Sequence, residues 1–262
     1  MKTKEYRRLH AEWYELVSAA EDHSREIDFW VRSIRAAGEP ALELGSGTGR
    51  VLIPLLEQGF DVVGIDTSED MMARCRAACR AKGLRAELHE QTMTEFTLPR
   101  EFGLVILDSG GLGLFVSDQE IRSTFERVMA HVKPGGWFIF EFQPEPSEDK
   151  GSDDREWSGD WVKGPDDTVV AWRQRWKYDA ATHIWKILFV VEKFIGGRLV
   201  ETEVNERTGR FFTVEEAVRF AESAGFTDAR AFDWLTEDPP GKDSKAVTVR
   251  CRKPRIGDSH LL

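Results

Sequence analysis

The chain has 262 residues, with 36 Lys and Arg against 46 Asp and Glu and a formal net charge of -10 at neutral pH. That balance opposes the phosphate neutralisation on which nucleic-acid affinity mainly rests, so DNA and RNA are not expected partners. A hydrophobic fraction of 41% and a charged fraction of 31% describe a globular chain long enough to bury one sizeable core. No apolar run approaches the roughly 20 residues that span a bilayer, and the start, rich in Lys, Arg and Glu, lacks a signal-peptide apolar run; the expected address is the cytoplasm, away from membranes. Cys75, Cys79 and Cys251 are too few for a disulfide framework and read as packing residues, and the scattered histidines lack zinc-site spacing, so no metal is expected.

From Glu39 to Phe142 short apolar runs alternate with amphipathic segments of helical length, the pattern of βα units around a parallel sheet. Strands are expected at Ala41–Leu44, Asp61–Ile65, Arg85–Glu90, Leu104–Leu107 and Trp137–Phe142. Thr67 or Ser68 caps one intervening helix and the Ser117-x-x-Glu120 box opens another, while Gly83 and Pro134-Gly135-Gly136 supply stops. Beyond Phe142 the composition turns acidic with Pro144 and Pro146, which sets a module boundary. Thr168–Tyr178, His183–Ile195 and Arg198–Arg210 then read as antiparallel strands joined at Asp179–Thr182 and Gly196-Gly197. Alternation gives the first of them an aromatic face (Val170, Trp172, Trp176, Tyr178) and a basic one (Arg173, Arg175, Lys177). A second capping box, Thr213-x-x-Glu216, resumes the core, with final strands at Phe226–Asp233 and Lys245–Cys251. The expected fold class is therefore α/β, a Rossmann-like doubly wound core in two parts, 39–146 and 212–253, with an inserted antiparallel β module at 147–211 and a loose tail at 254–262.

Glu43-Leu-Gly45-Ser-Gly47-Thr-Gly49 follows the first strand and precedes a helix, where glycines let the backbone approach a ligand and helix-start amides face it. Dinucleotide enzymes space their glycines as Gly-x-Gly-x-x-Gly; the spacing here disfavours that class. Asp66 ends the second strand, where a carboxylate can accept both hydrogen bonds of a ribose diol.

Together, Pro40 to Arg50, Val62-Val-Gly-Ile-Asp66-Thr-Ser and Val132-Lys-Pro-Gly-Gly-Trp137 resemble, in order and spacing, three motifs of class I S-adenosylmethionine-dependent methyltransferases. The resemblance implies a seven-stranded sheet with its last strand antiparallel, S-adenosyl-L-methionine as cofactor, and residues 1–38 as an N-terminal helical lid. It further implies that Glu43, Gly45, Gly47 and Gly49 face the methionine part of the cofactor, Asp66 with Thr67 the ribose, and Thr92 with Met93 the adenine. Many relatives carry Asp where this chain has Thr92, whose hydroxyl can accept the same bond.

Methyl transfer from a sulfonium is an in-line displacement that chiefly demands alignment, worth about 7–11 kcal/mol in favourable cases, so no fixed catalytic motif is required. Ligands of open α/β sheets sit at the carboxyl ends of the strands, which points to Asp108 and Ser109 after the fourth strand and Gln143 after the fifth. Asp108 is assigned to the cofactor, and Ser109 and Gln143 to the substrate. The chain is similar to aminosugar N-methyltransferases in its β insertion, although their loop His is absent here. In those relatives the insertion walls the acceptor pocket, a role that Trp157, Trp161 and Trp172 would fill, against their packing as the module's own core or a dimer face. Tyr14 is the candidate catalytic residue, as an orienting group or weak base. The expected function is methylation of a nitrogen or oxygen of a small-molecule acceptor, with a homodimer compatible; the competing function is a non-catalytic cofactor-binding protein whose inserted sheet contacts a partner protein.

Overall fold

The computed structural model of the protein describes residues 6–108, 110–145, 157–255 and 257. Its first half runs α1 (Arg8–Ala20), α2 (Ser24–Ala37), β1 (Ala41–Leu44), α3 (Leu52–Glu57), β2 (Val62–Asp66), α4 (Glu69–Ala81), β3 (Glu87–Glu90), β4 (Phe102–Leu107), a 3-10 turn (Gly111–Leu114), α5 (Asp118–His131) and β5 (Val132–Phe142). There follow β6 (Ser158–Lys163), β7 (Thr168–Asp179), β8 (Ile184–Ile195), β9 (Arg198–Arg210), α6 (Val214–Ser223), β10 (Thr227–Asp233) and β11 (Val247–Arg252). Local sequence sets several helix starts. The Ser68 hydroxyl accepts from the Met71 amide at 3.2 Å, with Glu69 and Asp70 in the first turn of α4. Ser117 with Glu120 and Thr213 with Glu216 form reciprocal capping boxes at α5 and α6, a device whose cap residue alone is worth roughly 1 kcal/mol.

Seven strands form one sheet in the order β10-β11-β5-β4-β1-β2-β3. Neighbours pair in parallel except at β11, which is antiparallel to both β5 and β10. Alternation divides the strand residues between two cores. Val105, Leu107, Phe138 and Phe140 pack under α5 and α6, whereas Leu104, Ile106 and Ile139 pack with Trp30 and Ile34 of α2, Leu55 of α3 and Cys75 of α4. Strand order reverses at β1, between β2 and β4, and this reversal is where a doubly wound sheet opens a crevice for a ligand.

A separate antiparallel sheet, β6-β7-β8-β9, carries the insertion. Gly196 and Gly197, at φ 56° and 73°, make the tight turn between β8 and β9. Val170, Trp185, Ile187, Phe189 and Val191 cover Leu9 of α1, with Trp13, Trp172, Trp176 and Tyr178 packed beside them. His10 of α1 stacks on Phe189 with ring centroids 4.7 Å apart, and Arg207 of β9 donates to its Nε2 at 2.7 Å. No side chain of its own caps α1. Instead Glu203 of β9 accepts from the amides of Leu9 (3.0 Å) and His10 (3.3 Å), and Asp70 of α4 accepts from that of Arg8 (2.8 Å). Two carboxylates, one from the insertion and one from the core, thus meet the positive end of the helix dipole.

Two elements differ from the sequence expectation. β6 is a fourth inserted strand that the sequence does not suggest, because Ser158–Lys163 is almost wholly exposed and lacks apolar alternation; pairing with β7 creates it. β5 begins at Val132 rather than at Trp137: α5 ends at His131, ahead of Pro134, and the strand starts at once but bulges through Lys133–Gly136, where Gly135 takes φ 80° and the pairing with β4 jumps from Val132–Phe102 to Trp137–Leu104. Most of the acidic boundary segment and most of the expected loose tail lie outside the described residues.

Candidate functional site

Register fixes the floor of the site. Leu44 of β1 pairs with Ile65 of β2, Glu43 with Ile106 of β4, and Leu107 of β4 with Phe140 of β5. Extending these pairings by one or two residues places Asp66, Gly45, Asp108 and Glu141 in one row across β2, β1, β4 and β5, about 4.8 Å apart per strand. Because Ile65, Leu107 and Phe140 face the core under α5 and α6, alternation turns Asp66, Asp108 and Glu141 to the other side, where all three line a cleft of about 540 Å³.

At the glycine turn, the Gly45 amide donates to Ile65 O at 2.8 Å, and Gly47 takes φ 53°, a left-handed conformation that a side chain would strain. The Gly47 amide then donates to Asp66 Oδ2 at 2.8 Å while the Ser68 amide donates to Oδ1 at 2.7 Å. Asp66 is thereby held by backbone at both oxygens. A Cβ on Gly45 would stand 2.9 Å from Met93 Cε, so Met93 closes over the turn. Beneath it Glu43 is 2% exposed, and its Oε2 has no hydrogen-bond partner among the described residues. Burial, then the charge of Asp108, pushes the Glu43 carboxyl well above the usual range. An incompletely satisfied buried carboxyl under an amide-rich turn suits a ligand that brings a donor or cation.

Gly49 has a different duty. At φ 90°, a Cβ there would meet Cys75 Sγ and Ile53 Cγ1, each at 2.7 Å, so its lack of a side chain lets α3 and α4 pack against the turn. Gly49→Ala is expected to cost about 2–5 kcal/mol through combined backbone strain and overpacking, read as a lowered urea midpoint; an unchanged midpoint would contradict this role.

Arg50 follows the turn and joins three elements. It donates to Glu26 of α2 and to Asp108 after β4, and its Nε donates to the Tyr14 hydroxyl of α1 at 3.3 Å. The charged partners are nearly buried. Burial pushes the Glu26 carboxyl up against the pull of Arg50. Burial also raises the Tyr14 hydroxyl to about 12, so it keeps its proton near neutral pH. Above this cluster α1 roofs the cleft with Trp13, Tyr14 and Val17; the far wall is Glu141, Gln143 and Trp234. The Trp234 indole donates to Glu141 Oε2 at 3.1 Å, and the Arg25 guanidinium lies 5.9 Å from the indole ring centre.

Of the residues expected at the site, Tyr14, Gly45, Gly47, Asp66, Thr67, Met93, Asp108 and Gln143 line the cleft together. Glu43 lies behind the turn and Gly49 within its packing. Thr92 is exposed, with its hydroxyl 3.0 Å from that of Thr94, and the neighbouring Gln91 lines the cleft instead. Ser109 lies outside the described residues. Trp157, Trp161 and Trp172 do not line the cleft. Trp157 and Trp161 are 45% and 58% exposed, and Trp172 stacks on Phe189 with centroids 5.6 Å apart, because α1 occupies the aromatic face of the inserted sheet and stands between it and the cleft. Trp161→Ser is accordingly expected to change stability by no more than about 0.5 kcal/mol and to leave ligand affinity at the glycine turn unaltered by calorimetry. Glu26 and Trp234 escaped the sequence reading, since each depends on partners far away in the chain, and Glu141 falls in the segment expected after the fifth strand without a role of its own.

Residues 41–136 match the family model described as a methyltransferase domain. The chain is 31% identical over 146 residues to dTDP-3-amino-3,6-dideoxy-alpha-D-glucopyranose N,N-dimethyltransferase of Streptomyces fradiae, a match covering 51% of this chain and 56% of that relative. Several other curated relatives are likewise matched over only about half their length. Among solved structures, an S-adenosylmethionine-dependent methyltransferase from Clostridium acetobutylicum superposes with a TM-score of 0.76 at 18% identity, over 93% of this chain and 96% of that one. The sugar N-methyltransferase KedS8 from a Streptoalloteichus species gives 0.74 at 18% identity over 98% of each chain. Residues 41–136 thus match a methyltransferase-domain model, and the strand order with its antiparallel β11 gives the chain the class I S-adenosylmethionine-dependent methyltransferase fold, with an antiparallel insertion after β5.

Proposed function

We propose that the chain is an S-adenosyl-L-methionine-dependent methyltransferase (EC 2.1.1.-) acting on a nitrogen or oxygen of a small molecule. The observation that carries this is one glycine turn that borders a cleft roofed by α1, with Asp66, fixed by two backbone amides, lining the cleft and the incompletely satisfied Glu43 buried behind the turn. Asp66, with Thr67 beside it, accepts from the ribose diol; Met93, with Thr92 and Gln91 at the rim, meets the adenine; Glu43, Gly45 and Gly47 face the methionine part. Asp108, held by Arg50, borders the methionine end. When bound, the cofactor supplies a sulfonium methyl whose C–S bond breaks, its electron pair passing to sulfur, as the acceptor's lone pair forms the new bond. Ser109, Gln143 and Tyr14 align the acceptor on the far side.

N-methyl transfer by the Streptomyces relative and by KedS8 favours nitrogen. The net charge of -10 weighs against nucleic acid. No helix among the described residues is long and apolar enough to cross a membrane, and we place the protein in the cytoplasm. A homodimer would use the outer face of the inserted sheet, where Trp161 and Val204 are both 58% exposed. Calorimetry with S-adenosylmethionine tests the reading: saturable binding that Asp66→Ala weakens by about 10²-fold or more is expected, and a wild-type protein that does not bind would end it.

A further inference from the structure

We propose that the far wall of the cleft is a subsite for a basic amine, carried in solution as an alkylammonium ion, and that Glu141 binds it. The inference rests on the methyltransferase reading and names the acceptor class and the residue that selects it. Glu141 ends the row at β5, with Asp108 between it and Gly45, so it lies on the side of the methionine end away from the ribose-binding Asp66. That is where an acceptor must stand to meet the methyl carbon in line. Glu141 is 2% exposed, and its Oε2 is set in position by the Trp234 indole.

The surroundings favour the same class of ligand. Glu21, Glu26, Asp66, Asp108 and Glu141 all line the cleft, against one arginine, Arg50, which is engaged by Glu26 and Asp108. Trp13, Tyr14 and Trp234 add aromatic faces, which attract alkylammonium groups as they attract other cations. An anionic acceptor head would be repelled there, and a neutral alcohol would gain little from the field.

The chemistry gives Glu141 a second use. The ammonium passes one proton to solvent through the Glu141 carboxylate, and its freed lone pair then forms the C–N bond as the C–S bond breaks with its electrons going to sulfur. Positive charge leaves sulfur and appears on nitrogen during this step. A carboxylate beside nitrogen therefore stabilises the transition state more than the ground state. The N–H proton of the methylated ammonium product leaves by the same carboxylate to water. Trp234 touches Glu141 through the indole and is a positioning residue.

The test uses the full chain saturated with S-adenosylhomocysteine and two probes of similar shape, cyclohexylamine in its ammonium form at neutral pH and cyclohexanol, titrated by NMR. Wild type is expected to bind the ammonium at least about tenfold more tightly than the alcohol, a difference of about 1.4 kcal/mol. Glu141→Gln should abolish that preference while leaving S-adenosylhomocysteine affinity within about twofold, since Glu141 faces the acceptor. Trp234→Phe, which keeps the ring and loses the indole donor, should reduce the preference by about threefold or more; it decides the matter if Glu141→Gln does not fold. Equal affinity for the two probes in wild type, including no binding of either, overturns the proposal, as does a preference that survives in both variants. Failure of wild type to bind S-adenosylhomocysteine is a separate result, and it falls on the methyltransferase reading instead.

Discussion

Asp66→Ala is expected to weaken S-adenosylmethionine binding by about 10²–10⁴-fold in calorimetry, from the loss of two hydrogen bonds to a charged acceptor at about 1.5–3 kcal/mol each. The large effect follows from two jobs done by one side chain. In the proposed binding mode the carboxylate offers an acceptor to each ribose hydroxyl; it also holds the Gly47 and Ser68 amides at 2.8 and 2.7 Å, so removing it loosens the turn. Asp66→Asn keeps one acceptor and should fall between alanine and wild type. A Kd for Asp66→Ala within fivefold of wild type, with the protein folded, would show that the carboxylate is not the ribose ligand.

Arg50→Met should produce the largest loss of stability, about 3–5 kcal/mol, which for a chain of this size lowers Tm by roughly 6–20 °C. Arginine here is the shared cation of two nearly buried carboxylates, Glu26 and Asp108. Without it both carboxylates stay in the interior without their shared arginine, Glu26 keeping His23 at 3.5 Å, a costlier state than the loss of a surface pair. The sign with pH follows from Glu26, whose carboxyl is already raised in the folded protein by burial. A raised acid holds its proton more tightly folded than unfolded. Its destabilising effect is therefore absent below the ordinary carboxyl range near 4.3 and grows as pH rises toward the folded value. Arg50 offsets that effect in the wild type. The stability gap between variant and wild type should consequently narrow as pH falls from neutral into the range just above ordinary carboxyls; urea midpoints that keep a constant gap over that interval would refute the account.

The parts of the site that the sequence makes legible are those encoded locally. Gly45, Gly47 and Asp66 announce themselves because a strand, a turn and the next strand must supply them at short range, and the capping boxes at Ser117 and Thr213 because both partners lie within four residues. The acceptor side has no such encoding. Arg50 meets Glu26 across 24 residues and Asp108 across 58, and Trp234 reaches Glu141 across 93, so only the folded sheet brings them together. The inserted sheet illustrates a second limit. Alternation correctly grouped Val170, Trp172, Trp176 and Tyr178 on one face, but periodicity says nothing about what a face will meet, and here it meets α1 rather than a ligand. β6 shows a third, since an exposed edge strand carries no burial pattern of its own.

The stacking of His10 on Phe189 ties the roof of the cleft to the proton concentration outside it. Burial, reinforced by Arg207, drives the His10 ring from its ordinary 6.5 down to about 2, so the docked helix carries a neutral imidazole. A base whose folded value is depressed contributes its full stabilisation above the unfolded value and loses it as pH falls below, at up to about 1.4 kcal/mol per pH unit. Acid should therefore weaken the seating of α1 on the inserted sheet. Amide exchange at Leu9 and His10, corrected for intrinsic rates, is expected to accelerate in that range, and His10→Gln to flatten the response. Since α1 contributes Trp13 and Tyr14 to the cleft, the same protons would set how readily ligands enter and leave.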